Sequence, residues 1–181
     1  MIILVRIRDI PGRCRLPGYE VGWFEADSVD FGVENSRPSQ AGEDGGVRGL
    51  ADLQVLKITK VVDTSSCDLM FKSAQGQPIN SVEIQVVETA KGGSANFPFL
   101  MMRYQDVFIS NWSLNIQETK TTETVSLEYH KVAMEYHRTS DGVNYHREAT
   151  RGWDVKLEDT NGQLGAPWDY TFKLRGDRST K

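Results

Sequence analysis

The residues with the widest chemical range are three histidines, His130, His137 and His146, and each follows a tyrosine. If those tyrosines pack inward, strand alternation turns all three imidazoles outward. Asp141-Gly142 is a two-residue hairpin signal; it would pair Ser140 with Val143 and set His137 opposite His146. Such a cross-strand pair would hold a metal if given a third ligand, or change charge near neutral pH. No Cys, Asp or Glu stands beside the histidines at a recognised ligand spacing, so the expectation is solvated imidazoles and no metal centre. Cys14, between Arg13 and Arg15, has flanking charge of the kind that lowers a thiol pKa, but no partner motif accompanies it. Cys67 reads as a small buried hydrophobe, and two cysteines make no disulfide framework.

The motifs that usually carry catalysis are missing from the sequence. It has no nucleophile elbow, phosphate-binding glycine loop, dinucleotide fingerprint or paired-histidine zinc helix. Carboxylates are plentiful but scattered. Glu83 is expected to face water from a strand, with no second carboxylate to form a glycosidase pair. Trp23, Trp112, Trp153 and Trp168 read as core and interface anchors rather than as stacking platforms. No catalytic residue and no cofactor can be named, and the expectation is that the chain is not an enzyme.

The elements that position these residues centre on residues 53–87, read as strand, helix, strand. Leu53 to Val62 is rich in branched residues at both parities, as expected of a strand covered on both faces. Asp63-Thr64-Ser65 offers N-caps, with Asp68 in a weak capping-box position after Ser65. Cys67, Met70, Phe71 and Ala74 then form one helical stripe, which is expected to lie against the sheet. Gly76 and Pro78 end the helix. From Ile79 the period drops to two, with Val82, Ile84 and Val86 on one side.

The remaining sequence alternates as strands. Ile3, Val5 and Ile7 mark the first, closed by Pro11-Gly12, and Pro17-Gly18 marks a turn. Val21 to Glu34 reads as one long strand, with Val29, Phe31 and Val33 on a buried face and Ser28, Asp30, Gly32 and Glu34 on a wet one. Asn35 to Gly49 is glycine-rich with one large apolar residue, and is expected to be a long exposed loop. Lys91-Gly92-Gly93-Ser94 is a turn. Phe97 to Ile116 reads as one very long strand, which suits a barrel or a strongly coiled sheet. Across Thr122 to Arg138 the apolar parity switches, and a bulge near His130-Lys131 would return Val125, Leu127, Tyr129, Val132, Met134 and Tyr136 to one face. Trp153, Val155 and Leu157 continue the alternation. Trp168 to Leu174 is a candidate extra strand, and Gly176 to Lys181 is expected to be disordered.

Composition sets the outer bounds. The chain has 181 residues, 39% apolar and 25% charged, which is ordinary for one globular domain with a real core. A net charge of −4 with no dominant Lys/Arg cluster gives no support for nucleic-acid binding. No apolar run approaches the ~20 residues of a membrane helix. The short run Ile2–Val5 is broken by Arg6, Arg8 and Asp9, so no standard secretory signal is expected. The fold class expected is mainly β: a small antiparallel barrel of seven or eight strands with one short helix.

An ordered set of strings resembles the Hcp family, the tube proteins of bacterial type VI secretion. They are IILVRIRDIPG (2–12), VDFGVENS (29–36), LKITKVVDTSSCDLM (56–70), GQPINSVEIQVVETA (76–90), YQDVFISNWS (104–113), TETVSLEYHKVAMEY (122–136) and GWDVKLE (152–158). The resemblance implies a barrel domain over residues 1–158, with the exposed loop at 35–49, and a C-terminal extension over 159–181. It implies stacked hexameric rings around a wide channel, expelled from the cytoplasm by a dedicated machine and able to shelter effectors. The implied partners are further copies of the chain and the spike, sheath and effector proteins of that machine. On that basis Ser28, Asp30 and Glu34 are channel-lining or effector-binding candidates. Arg37, Pro38, Glu43, Asp44, Val47 and Arg48 are candidates for contacts between subunits or rings. An Hcp-like adaptor or chaperone for secreted cargo, and a phage tail-tube-type protein, are the alternatives. Arg13-Cys14-Arg15 and the longer tail depart from the family pattern.

Overall fold

A computed structural model describes residues 1–35, 51–89, 96–139 and 145–155. Eleven strands and one helix follow in the order β1 (Ile2–Ile7), β2 (Trp23–Ala26), β3 (Ser28–Asp30), β4 (Val33–Asn35), β5 (Ala51–Leu53), β6 (Leu56–Val61), α1 (Ser66–Gln75), β7 (Pro78–Thr89), β8 (Asn96–Ile116), β9 (Thr121–Glu128), β10 (Lys131–Thr139) and β11 (Tyr145–Asp154). All the pairings are antiparallel.

The main sheet runs β2-β1-β7-β8-β9-β6-β3. No ladder joins β2 to β3 laterally, yet the two are consecutive pieces of one run of chain, separated only by Asp27. The Asp27 N–H donates to the Thr59 carbonyl at 2.8 Å, handing the chain from its partner β1 to its partner β6. The sheet therefore curls into a barrel-like form whose two ends meet in the same segment of chain, with no ladder closing it. The 21-residue β8 holds it together: its first half lies between β7 and β10, and its second half pairs with β9.

Inside the barrel is one core that includes Val5, Phe24, Ile58, Leu69, Val82, Tyr104, Val125 and Leu127. A second, smaller cluster of Leu4, Cys14, Tyr19, Trp23 and Val87 lies on the other face of β1. The segment from Gly12 to Tyr19 is folded over it. The Cys14 N–H donates to the Trp23 carbonyl at 2.8 Å, and the Tyr19 and Trp23 rings meet edge to face at 5.2 Å. Burying these apolar groups is the main favourable term in the fold.

Several sequence expectations are corrected. The single strand from Val21 to Glu34 is three short ones, broken at Asp27 and again at Phe31-Gly32, because this stretch crosses from one side of the barrel to the other. Phe31 and Val33, expected inside, are exposed. The strand expected to be covered on both faces has one buried face, Leu56, Ile58 and Lys60, while Val61 and Val62 meet water.

The helix is where it was expected, and Gly76 ends it in the left-handed region at φ 61°. Its orientation is not as expected. Ser66 and Leu69 are buried, whereas Cys67, Met70, Phe71 and Ala74 are exposed. Ser65 makes no side-chain cap; Asp63 does the local work, its Oδ1 accepting from the Ser65 N–H at 2.8 Å and from the Ser65 hydroxyl at 2.5 Å.

The phase break near His130-Lys131 is present, since β9 ends at Glu128 and β10 begins at Lys131. Val125, Leu127, Tyr129 and Val132 are buried, but Met134 and Tyr136 are 44% and 42% exposed. The Asp141-Gly142 turn, the Lys91–Ser94 turn, Leu157 and the strand and disorder expected in the tail lie outside the described residues.

Candidate functional site

The channel candidates occupy two different sheets. Ser28 and Asp30 lie on β3, opposite Thr59 and Lys57 of β6; Ser28 is half-buried and Asp30 exposed. Glu34 is exposed on β4, which pairs only with β5 to form a separate ribbon, and sits opposite Asp52. Its carboxylate accepts from Gln54 Nε2 at 3.5 Å. The break at Phe31-Gly32 thus takes Glu34 off the strand it was expected to share with Asp30. The loop candidates Arg37, Pro38, Glu43, Asp44, Val47 and Arg48 lie outside the described residues, but the root on which they are mounted is defined. Asn35 and Ala51 are ladder partners, so residues 36–50 leave and return at one point of this ribbon.

The histidines are not displayed as expected. An irregularity between Tyr136 and His137 shifts the β10–β11 register, so His137 faces Arg147, and His146 faces Arg138. His137 is 2% exposed, and its Nε2 lies 2.6 Å from Glu135 Oε1. Glu135 Oε2 accepts from the Thr150 hydroxyl at 3.1 Å, with Arg147 Nη1 at 4.0 Å. Glu135 and His137 are thus paired along β10, and the Thr150 hydroxyl ties the pair to β11. Among the described residues no cluster of three or more His, Cys, Asp or Glu is placed to hold a metal ion.

Cys14 and Cys67 exchange roles. Cys67 is exposed and Cys14 buried. Burial pushes the Cys14 thiol up, the nearby Glu25 carboxylate adds to this, and the Leu16 N–H donated to the sulfur partly opposes it. Arg13 and Arg15 therefore do not make it a thiolate. Glu83, expected to be solvated, is half-buried and ion-paired with Arg6 at 2.5 Å.

The most developed polar site was not anticipated. Lys60 Nζ, inside the apolar parity of β6, contacts Glu123 Oε1 at 2.6 Å and Asp63 Oδ1 at 2.8 Å, and stands 5.0 Å from the Phe24 ring centre. Glu123 also accepts from the Ser66 hydroxyl at 2.7 Å and from Trp112 Nε1 at 2.7 Å. The network is buried and well satisfied, and it ties the start of α1 to β6, β8 and β9. That makes it a positioning device rather than a reaction centre. A signal for it exists in the sequence: Lys60 follows Leu56 and Ile58, and Glu123 precedes Val125 and Leu127, so opposite charges occupy core parity on two strands.

Two apolar surfaces remain. One is the outward stripe of α1. The other is a groove of about 460 Å3 at the end of the barrel overrun by β10, lined by Ile3, Phe31, Val86, Leu100, Met102 and Met134, with Asp30 and Lys57 also on its wall.

The chain matches the family described as type VI secretion system effector, Hcp, over residues 4–136. No curated protein matches it. Among solved structures, one of a type six secretion system protein is similar with a TM-score of 0.76 at 21% identity, covering 87% of this chain and 98% of that one. Hcp1 from Salmonella typhimurium is similar with a TM-score of 0.65 at 18% identity, covering 86% and 95%. A type VI secretion system effector from Yersinia pestis gives a TM-score of 0.64 at 13% identity, covering 84% and 98%. The three likenesses carry the fold, and the match over residues 4–136 carries the relationship: the chain belongs to the Hcp family of type VI secretion tube proteins.

Proposed function

We propose that the chain is the repeating subunit of a type VI inner tube. In this reading six copies close into a ring, rings stack, and the stack is driven out of the cytoplasm by the secretion machine with effectors held in its channel. Spike and sheath proteins are its further partners. Ser28, Asp30 and Glu34 are proposed for the channel wall, and Arg37, Pro38, Glu43, Asp44, Val47 and Arg48 for contacts made by the 36–50 segment.

The observation that carries the assembly reading is the contrast between a closed core and the large apolar side chains left in water beside it. Met70, Phe71, Ile116 and Met134 are all more than 40% exposed. A solitary soluble domain has nothing to cover the pair on α1 or the groove that holds Met134, whereas a subunit can cover both with its neighbours. Among the described residues no helix is long and apolar enough to cross a membrane, which accords with passage as a folded ring. Negative-stain electron microscopy of the purified protein tests the reading. Annular particles with a hollow centre are expected; fields of small solid particles at every concentration would refute it.

A further inference from the structure

We propose that a cavity on the outer face of the sheet, where β1, β7 and β8 lie side by side, binds a phosphate monoester through Arg8 and Arg103. The site belongs to a single chain and is independent of the ring reading above.

The strand period gathers the charged groups. Ile7, Val82 and Tyr104 point into the core, so alternation turns Arg6, Arg8, Glu83 and Arg103 the other way. The ladders set Arg6 opposite Glu83, and Glu83 opposite Arg103. The Arg8 N–H donates to the Ser81 carbonyl at 3.1 Å, which carries the β1–β7 pairing one residue past Ile7. Arg8 and Arg103 therefore stand on either side of β7, and both line one cavity of about 590 Å3. That volume suits a small organic ligand.

The three guanidinium groups differ in what they touch. Arg6 is ion-paired with Glu83 at 2.5 Å and lies 5.0 Å from the Trp23 ring centre. It neutralises the carboxylate in the middle of the row. Among the described residues the Arg8 and Arg103 side chains have no ion-pair partner. Arg103 Nε is also buried without an acceptor, while its two Nη nitrogens are not buried. A buried N–H that lacks an acceptor is costly. An anion seated on the Nε–Nη edge of this fork supplies one.

Charge sets the sign of the ligand. Arg6, Arg8 and Arg103 share the wall with Glu83 and Asp9, a surplus of one positive charge in a chain whose net charge is −4. Glu83 is already paired. Asp9 is exposed, at a left-handed φ of 66°, and its carboxylate opposes an anion.

The number of free forks selects phosphate. A carboxylate has two oxygens and satisfies one guanidinium fork. A phosphate monoester carries two charges and three free oxygens, and so accepts from Arg8 and Arg103 together. Pro11 and Val21, apolar and exposed on the same wall, give the organic group of the ester a surface to lie on.

Isothermal titration calorimetry of the full chain at pH 8 and fixed ionic strength compares phenyl phosphate, inorganic phosphate and benzoate. One site per chain is expected for phenyl phosphate, with weaker binding of inorganic phosphate and none of benzoate. Arg8→Gln and Arg103→Gln should each weaken phenyl phosphate binding by about tenfold or more. Arg103→Lys keeps the charge but loses the fork, and should weaken it too. Asp9→Asn should tighten it. Arg8 is exposed, so Arg8→Gln reads the site even where an Arg103 substitution disturbs the fold. Arg151→Gln, on β11, should leave binding unchanged. No binding of phenyl phosphate at about 10 mM, or binding that survives Arg8→Gln, would overturn the proposal. Inorganic phosphate binding as tightly as the ester would assign the site to free phosphate, and benzoate doing so would assign it to carboxylates; either result overturns the monoester assignment. None of these outcomes bears on whether rings form.

Discussion

Lys60 and Glu123 face one another as ladder partners of β6 and β9, and their charged atoms meet at 2.6 Å with each residue 1% exposed. Each is the other's buried ion-pair partner, and Lys60 also reaches Asp63 at 2.8 Å. Lys60→Met should therefore destabilise the fold by about 3–5 kcal/mol, since it leaves a buried carboxylate with hydrogen bonds but no countercharge. Adding Glu123→Gln to that variant should restore part of the loss. The amide carbonyl still accepts from Trp112 Nε1, the amide NH2 can donate to the Ser66 hydroxyl, and the charge left is that of the partly exposed Asp63. Urea denaturation at pH 7 measures all three chains; a double variant no more stable than Lys60→Met would contradict this account.

A second expectation concerns alkaline pH. Burial pushes the Tyr129 phenol up to about 12 and the Tyr104 phenol well above the usual tyrosine range. Their rings meet edge to face at 4.8 Å, and the Tyr129 hydroxyl donates to the Gln54 carbonyl at 3.1 Å. The fold favours the neutral phenol, while the unfolded chain ionises near pH 10. Stability should thus be intact below pH 10 and fall as the pH rises from 10 towards 12, by up to about 2–3 kcal/mol for Tyr129. Denaturation midpoints across that range, compared with Tyr129→Phe, give the measurement. A profile unaffected by the substitution would contradict the assignment.

The thiols should separate kinetically. Cys67 should react with a maleimide at the rate of an exposed thiol, and Cys14 only after unfolding, because its sulfur is buried and its pKa raised. Timed labelling with mass detection at pH 7 should show one adduct in the native protein and two in denaturant. Fast double labelling of the native protein would show that the Gly12–Tyr19 segment opens readily.

Gly12 should tolerate no side chain. A Cβ there would overlap the Trp23 carbonyl group and the Phe24 nitrogen, which are backbone atoms that cannot rotate aside. Gly12→Ala should cost about 1–3 kcal/mol and loosen the cover over Trp23. A lower thermal midpoint with increased Trp23 solvent exposure, read by fluorescence, is the expected outcome; an unchanged midpoint would contradict it.

What the sequence made legible follows from how local each signal is. The first strand, the helix with its Gly76 stop, and the long β8 are written in runs of alternating or helical period, and each appears where its pattern falls. The barrel followed from the length of β8 and the dominance of hairpin connections. Facing was harder to read. The stripe of α1 obeys the core rule yet points outward, because helical spacing groups apolar residues on one face without fixing which way the helix turns it. The segment from Val21 to Glu34 alternates regularly, but alternation does not reveal that the chain changes partners at Asp27 or leaves the sheet at Phe31-Gly32. His137 was misplaced because one irregularity after Tyr136 changes every cross-strand partner beyond it. Of the channel candidates, Ser28 and Asp30 share a strand as expected, while Glu34 belongs to the neighbouring ribbon.

The assembly claim is tested most directly by native mass spectrometry of the purified chain across a hundredfold concentration range. The account predicts a dominant species of six chain masses that persists on dilution. Single chains at every concentration would contradict it.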